Sequence, residues 1–290
     1  MKDFKGRVVL ITGAGGGIGR LMAVEFAKRG ARLVVLDKDG KAAEETAALV
    51  RSIGADARGF ELDVTDRPAI LALREVVRRD FGRVAVLVNN AGVVFGGPLT
   101  KTPWERHQLT YDVNVFGVVA FTHAFLDDMI AEPQAHLVNI ASASGFIGLP
   151  FGSTYASSKW AVIGFSESVR QELLTEGHRH VKVTTVCPSY IATGMFEGVK
   201  GPLLTPILEP QTIVDKILAA VEAERAWVLE PFMVKFTPFL RGVLPTSLFD
   251  WAGKLFGVST SMMHWRGHNA DSPAPQKGAP APAAASSLAN

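Results

Sequence analysis

Tyr155 and Lys159 are the side chains in this 290-residue chain best spaced to do chemistry together. They stand four apart in Tyr155-Ala156-Ser157-Ser158-Lys159, at the start of a segment with helical periodicity, so both project from one helix face. An ammonium beside a phenol favours phenolate. It draws a group that ordinarily titrates near ~10 toward proton exchange close to neutrality. The same spacing also arises by chance, as a half-buried tyrosine beside a surface lysine, so the company it keeps decides. Ser142 ends an apolar run in Asn139-Ile140-Ala141-Ser142, where its hydroxyl would bind a substrate oxygen alongside Tyr155. Asn114, in Asp112-Val113-Asn114-Val115, is a poor helix former on an apolar stretch. Once buried it needs hydrogen-bond partners, and a water chain to Lys159 is one option.

A second constellation opens the chain. The first apolar run leads into Thr12-Gly13-Ala14-Gly15-Gly16-Gly17-Ile18-Gly19 and then a helical pattern. Glycines there permit a tight turn and close approach of backbone to a pyrophosphate, and the following helix offers free N–H groups and its positive dipole end. A glycine-rich turn alone is weak evidence; its place between a strand and a helix strengthens it. Asp37, ending the second apolar run, would accept hydrogen bonds from the hydroxyls of an adenosine ribose and repel a 2′-phosphate. No Arg or Lys lies within residues 12–19, so NAD is expected, with NADP the alternative because Lys38 follows Asp37. Asp63-Val64 and Asn89-Asn90-Ala91-Gly92 follow the third and fourth apolar runs. Strand C-terminal ends are where ligands bind in open α/β sheets, although Asp, Asn and Gly also serve as plain turn formers.

These residues require a scaffold that gathers strand ends. Short Val/Ile/Leu-rich runs at 7–12, 32–36, 57–62, 84–88, 135–141 and 181–187 read as strands covered on both faces. Between them, 19–29, 41–53, 67–80, 103–130 and 155–176 read as helices, with Asp66 before Arg67-Pro68 and Thr102-Pro103 as start signals. A helix over 211–223 and a strand over 226–230 complete the pattern, and 194–210 reads as a loop. Strand–helix alternation of this kind predicts α/β architecture: one doubly wound parallel sheet of Rossmann type, with an apolar C-terminal extension.

With these pieces in order, the chain resembles the short-chain dehydrogenase/reductase family over roughly residues 6–196. The resemblance implies that Tyr155 is the general acid/base and that Ser142 orients the substrate oxygen. It also implies that Lys159 binds the nicotinamide ribose and lowers the Tyr155 pKa, and that Asn114 anchors a proton-relay water. Gly13, Gly15, Gly17, Ile18, Gly19, Asp37, Asp63, Val64, Asn89, Ala91, Gly92, Pro188, Ile191 and Thr193 would join Tyr155 and Lys159 in holding the cofactor, Thr193 at the nicotinamide amide. The family usually has Pro-Gly after the sixth strand; here it is Pro188-Ser189, which changes the wall beside the nicotinamide. The stretch from Val186 to Gly198, with the apolar C-terminus, looks like the retinol dehydrogenase and 17β-hydroxysteroid dehydrogenase branch. That resemblance implies a lipophilic alcohol as substrate. Many members of the branch carry an N-terminal hydrophobic anchor. The short run here is not one, so attachment by that route is not expected.

Bulk properties narrow the alternatives. Thirty basic against 28 acidic residues gives no case for nucleic acid. One cysteine, Cys187, excludes an intrachain disulfide, fits a reducing compartment and is expected to be buried. No uninterrupted apolar stretch reaches membrane-spanning length, and the seven histidines show no metal-ligand spacing. The expectation is a cytoplasmic protein, a homodimer or homotetramer, with no bound metal. Residues 231–265 concentrate phenylalanine, leucine, valine and tryptophan around Lys235, Arg241 and Lys254, with a helix over 247–256. That segment either covers a pocket, packs on a second subunit, or makes peripheral contact with a membrane. Residues 266–290 are poor in large apolar side chains and read as disordered.

Overall fold

The computed structural model describes residues 1, 3–203 and 205–267. The strands are β1 (Val8–Thr12), β2 (Arg32–Asp37), β3 (Ala57–Glu61), β4 (Val84–Asn89), β5 (Ala135–Ile140), β6 (Val181–Pro188) and β7 (Trp227–Glu230). They form one parallel sheet in the order β3-β2-β1-β4-β5-β6-β7. The helices are α1 (Gly17–Lys28), α2 (Gly40–Ser52), α3 (Arg67–Asp80), α4 (Trp104–Tyr111), α5 (Val118–Ile130), α6 (Ser153–Thr175), α7 (Pro210–Glu222), α8 (Thr237–Val243) and α9 (Thr246–Leu255).

The strand sequences explain the two-sided packing. All five residues of β1 are buried. Val9 and Ile11 enter the core shared with α1, α2 and α7, whereas Val8 and Leu10 enter the core shared with α3 and α5. Alternate side chains point to opposite faces, so a continuous apolar run needs helices on both sides. Chain direction across the sheet reverses between β1 and β4, which opens a crevice at their C-terminal ends. Asp66 caps α3 by accepting from the Ala69 amide at 2.9 Å. Thr102 does not cap its helix; its hydroxyl donates back to the Pro98 carbonyl.

The helix expected over 103–130 is divided. A π turn, Asp112–Gly117, joins α4 to α5 and carries Asn114. Such turns insert one residue into the helical ladder and redirect the side chains around it, frequently at functional sites. The run Trp104–Ile130 has the length and mean hydropathy (1.3) of a membrane-crossing helix, but half of its most apolar window is buried within the fold. Asn114 and Thr122 on that run face the interior, as suits a core helix. The helix expected over 247–256 is α9. A further helix, α8, and a single turn at Phe232–Phe236 precede it. Of the tail expected to be disordered, Arg266 and Gly267 are ordered against Glu197, with amide-to-carbonyl distances of 2.8 and 3.4 Å; residues 268–290 lie outside the described residues.

Candidate active site

The strand ends build a cleft of about 390 Å³. The turn after β1 needs glycine for two reasons. Gly13 has φ of +62°, and a Cβ there would sit 2.8 Å from the Ala91 Cα. A Cβ on Gly19 would sit within 2.4 Å of the Gly13 carbonyl oxygen, so α1 packs directly against the turn. The Thr12 hydroxyl accepts from the amides of Asn90 and Ala91, each at 3.0 Å, and fastens the end of β1 to that of β4. Gly13, Gly17 and Ile18 line the cleft at the start of α1, and Asp37 lies at its far end with Lys38. The Asp37 carboxylate accepts from the Gly15 amide at 2.9 Å and from the Asp39 amide at 3.1 Å. Gly15 itself supports the carboxylate from outside the cleft wall. Asp63, Val64, Ala91, Gly92, Pro188, Ile191 and Thr193 complete the lining.

Three residues expected to touch the cofactor are elsewhere: Gly15, Gly19 and Asn89. Gly19 lies beneath the turn. The Asn89 side chain donates to Thr122 Oγ1 at 3.1 Å and to Asn139 Oδ1 at 2.8 Å, inside the sheet–helix core. Its neighbour Asn90 lines the cleft instead, with its amide nitrogen donating to the carbonyls of Thr12 and Gly13. Successive side chains at a strand end point to opposite sides, so only one of two consecutive asparagines reaches the cleft. Arg20, overlooked beside the glycine turn, bonds the Gly15 carbonyl and Thr46 and pairs with Glu45.

At the other end of the cleft Tyr155, Lys159 and Ser142 come together, all buried. Lys159 Nζ donates to the Ile140 carbonyl at 2.8 Å and lies 5.7 Å from the Tyr155 ring centroid. Burial lowers its pKa to about 8. Burial also raises the Tyr155 pKa above its ordinary value, and the Ser142 hydroxyl partly counters this. Desolvation is the largest cause of that shift, and Lys159 is not among the groups that offset it. Ser142 Oγ accepts from the amide and hydroxyl of Ser144 at 3.2 and 3.0 Å. Ser144, a partner the sequence did not single out, fixes that hydroxyl. Cys187 is buried as expected, which raises its pKa.

Asn114 reaches the loop after β4 and the start of α6. Its Oδ1 accepts from the Val93 amide at 2.8 Å, and its Nδ2 donates to the Val93 carbonyl at 2.9 Å and to Ser158 Oγ at 3.0 Å. The π turn aims the side chain at the loop after β4, where its partners take both Nδ2 hydrogens and one of the two Oδ1 lone pairs.

A second cavity of about 180 Å³ adjoins the first. Ser142, Tyr155, Ser189 and Phe196 line both. Its remaining walls are mostly apolar and include Leu149, Met233, Leu240 and Phe249. The loop after β6 and the C-terminal extension, separate in the sequence reading, form one cover over it. The amides of Lys200, Leu203 and Arg266 donate to the carbonyls of Ser261, Phe256 and Glu197 at 3.3, 2.8 and 2.8 Å. Tyr190 donates to Ser261 Oγ at 2.8 Å, and the Trp265 ring nitrogen donates to the Met195 carbonyl at 3.1 Å.

The family model for short chain dehydrogenase matches residues 7–201. The chain belongs to the short-chain dehydrogenase family. Epidermal retinol dehydrogenase 2 of Mus musculus is 40% identical over 247 residues, covering 84% of this chain and 80% of that one. Estradiol 17-beta-dehydrogenase 11 of Homo sapiens is 38% identical over 244 residues, covering 84% and 81%. Among solved structures, a short chain dehydrogenase/reductase from Burkholderia phymatum in complex with NAD superposes with a TM-score of 0.76 at 29% identity, covering 83% of this chain and 95% of that one. A metagenomic short-chain oxidoreductase in complex with NADP gives 0.66 at 30% identity, covering 78% and 95%. This short-chain dehydrogenase is thus an oxidoreductase of the dinucleotide-dependent kind, and the glycine cradle, the α1 N-terminus and Asp37 fit such a cofactor.

Proposed function

We propose that the protein transfers a hydride between NAD and the carbinol carbon of a lipophilic alcohol, of retinoid, steroid or long-chain character. The observation that carries this reading is the position of Tyr155 and Ser142 at the junction of a dinucleotide-sized cleft and an apolar cavity. When bound, the nicotinamide supplies the hydride acceptor. The chain supplies the rest. Ser142, held by Ser144, donates to the alcohol oxygen. Tyr155 takes the hydroxyl proton as the carbon–hydrogen bond breaks, leaving a carbonyl, and returns it in reduction. Lys159, whose one bond among the described residues is to Ile140, holds the ribose and stabilises the phenolate. Asn114 acts as a positioning residue, tying the Val93 loop to Ser158 beside that pair. The names of the retinol and estradiol dehydrogenase relatives agree with an apolar substrate.

NAD is favoured because a carboxylate at Asp37, lining the cleft, would repel a 2′-phosphate, while Lys38 beside it keeps NADP as the second reading. Titration with both dinucleotides separates them: tighter NADP binding refutes the assignment to Asp37. A homodimer or homotetramer is the assembly proposed, on the exposure of Trp104, Phe116 and Trp160. The deciding experiment is NAD-dependent oxidation across a panel of lipophilic alcohols by the wild type and Tyr155→Phe. Turnover lost in the variant with NAD binding kept supports the mechanism; equal turnover by both proteins removes Tyr155 from it.

A further inference from the structure

Trp160 follows Lys159 on α6, and its indole reaches the turn Ala143–Gly145 that follows β5. The ring nitrogen donates to the Ser144 carbonyl at 2.8 Å and to the Ile147 carbonyl at 3.3 Å. The same Ser144 holds Ser142 Oγ through its amide and its hydroxyl. One residue therefore stands between the indole and the hydroxyl that meets the substrate oxygen. A Cβ on Gly145 would lie 3.0 Å from the Lys159 carbonyl oxygen, so the turn rests directly on the α6 backbone. The indole bond then fixes the Ser144 peptide. A bonded carbonyl limits rotation about the Ser144 backbone, and with it the directions of the amide and hydroxyl that hold Ser142.

The C-terminal extension holds the indole in turn. Trp160 is 41% exposed. An indole that only filled space would find water for its N–H at that exposure; here the N–H is spent on the turn that carries Ser144. The Arg241 guanidinium of α8 lies over the Trp160 ring, 5.0 Å from its centroid. It also lies 5.9 Å from the ring centroid of Phe249 on α9, a residue that lines the apolar cavity. A guanidinium over two aromatic faces is attracted to both, so Arg241 ties α6 to the cover.

We propose that Trp160 is a positioning residue for the oxidoreduction: through Ser144 it sets the direction of the Ser142 hydroxyl, and Arg241 clamps it, so that the seating of the C-terminal extension reaches the catalytic serine. The inference rests on the proposed role of Ser142, and the test separates the two.

The chain has three tyrosines, Tyr111, Tyr155 and Tyr190. Isotopic labelling of their Cζ atoms makes each visible by NMR, and Tyr155→Phe assigns the Tyr155 resonance. Its titration is followed in the full chain with NAD bound. The Ser142 hydrogen bond favours ionisation of Tyr155, whereas Lys159 on the same helix, Cys187 on β6 and Tyr190 just after it stay in place in every other variant. Trp160→Phe keeps a ring for Arg241 and removes the N–H. Its Tyr155 midpoint is expected to rise by about 0.7 in pH, as for the loss of one hydrogen bond. Its kcat for NAD-dependent oxidation of decanol is expected to fall about fivefold, with KM and NAD affinity unchanged. Arg241→Met is expected to raise the midpoint by less, and to add nothing in the Trp160→Phe background. If Ser142→Ala raises the midpoint and Trp160→Phe does not, the positioning role is overturned and the role of Ser142 stands. If Ser142→Ala leaves the midpoint unmoved, the role of Ser142 falls and this inference with it. Additive shifts for Trp160→Phe and Arg241→Met overturn the clamp. A change in the sedimentation of Trp160→Phe relative to the wild type overturns the proposal too, since the indole would then act through a second subunit.

Discussion

Replacing Lys159 with methionine is expected to stabilise the protein without cofactor while removing its activity. Lys159 is buried, and burial lowers its pKa from 10.5 to about 8. That difference corresponds to about 3 kcal/mol by which the charged lysine weakens the fold near neutrality. Methionine of similar length removes the cation but leaves the Ile140 carbonyl without its 2.8 Å donor, a loss of about 1 kcal/mol. The net gain of about 2 kcal/mol raises the melting temperature by about 4 °C for a chain of this size. The sign fixes the pH dependence. A depressed lysine contributes its full stability above its unfolded pKa of 10.5 and loses it as pH falls through about 8. The advantage of the variant is therefore greatest at pH 7 and shrinks to near zero by about pH 10. Calorimetric unfolding of both proteins at the two pH values measures it. Equal melting temperatures at pH 7, or a gap that does not close with rising pH, would falsify the picture of a charged lysine held at a cost in the site.

Two further predictions concern turnover. Because burial raises the Tyr155 pKa and oxidation needs the phenolate, kcat/KM for oxidation should climb through the alkaline range; a plateau reached below neutrality contradicts this. Trp265→Ala removes the Met195 bond and the ring that covers Gly96, at a local cost of about 3–5 kcal/mol. KM for bulky alcohols should rise about tenfold or more with NAD affinity unchanged, and an unaltered KM would show that the cover does not shape the cavity.

Much of this protein is readable from its linear order. The alternation of short apolar runs with helical periods determined the sheet, because strands buried on both faces must be continuously apolar and parallel neighbours must be joined by helices. The glycine turn, Asp37 and the Tyr155–Lys159 spacing were legible because each is a local rule: a positive φ, a strand end, a helix face. Tertiary structure decided what depends on contacts between distant segments. Which of Asn89 and Asn90 reaches the cleft follows from the pleat at the end of β4. The partners of Asn114 follow from a π turn that helical periodicity does not reveal. The direction of the Tyr155 shift follows from burial, which outweighs the Ser142 hydrogen bond and has no signature in residue spacing. The union of the loop after β6 with the C-terminal extension rests on backbone hydrogen bonds between segments some sixty residues apart. Backbone amides and carbonyls are the same at every residue, so side-chain identity does not announce such a pairing, and only the folded chain displays it.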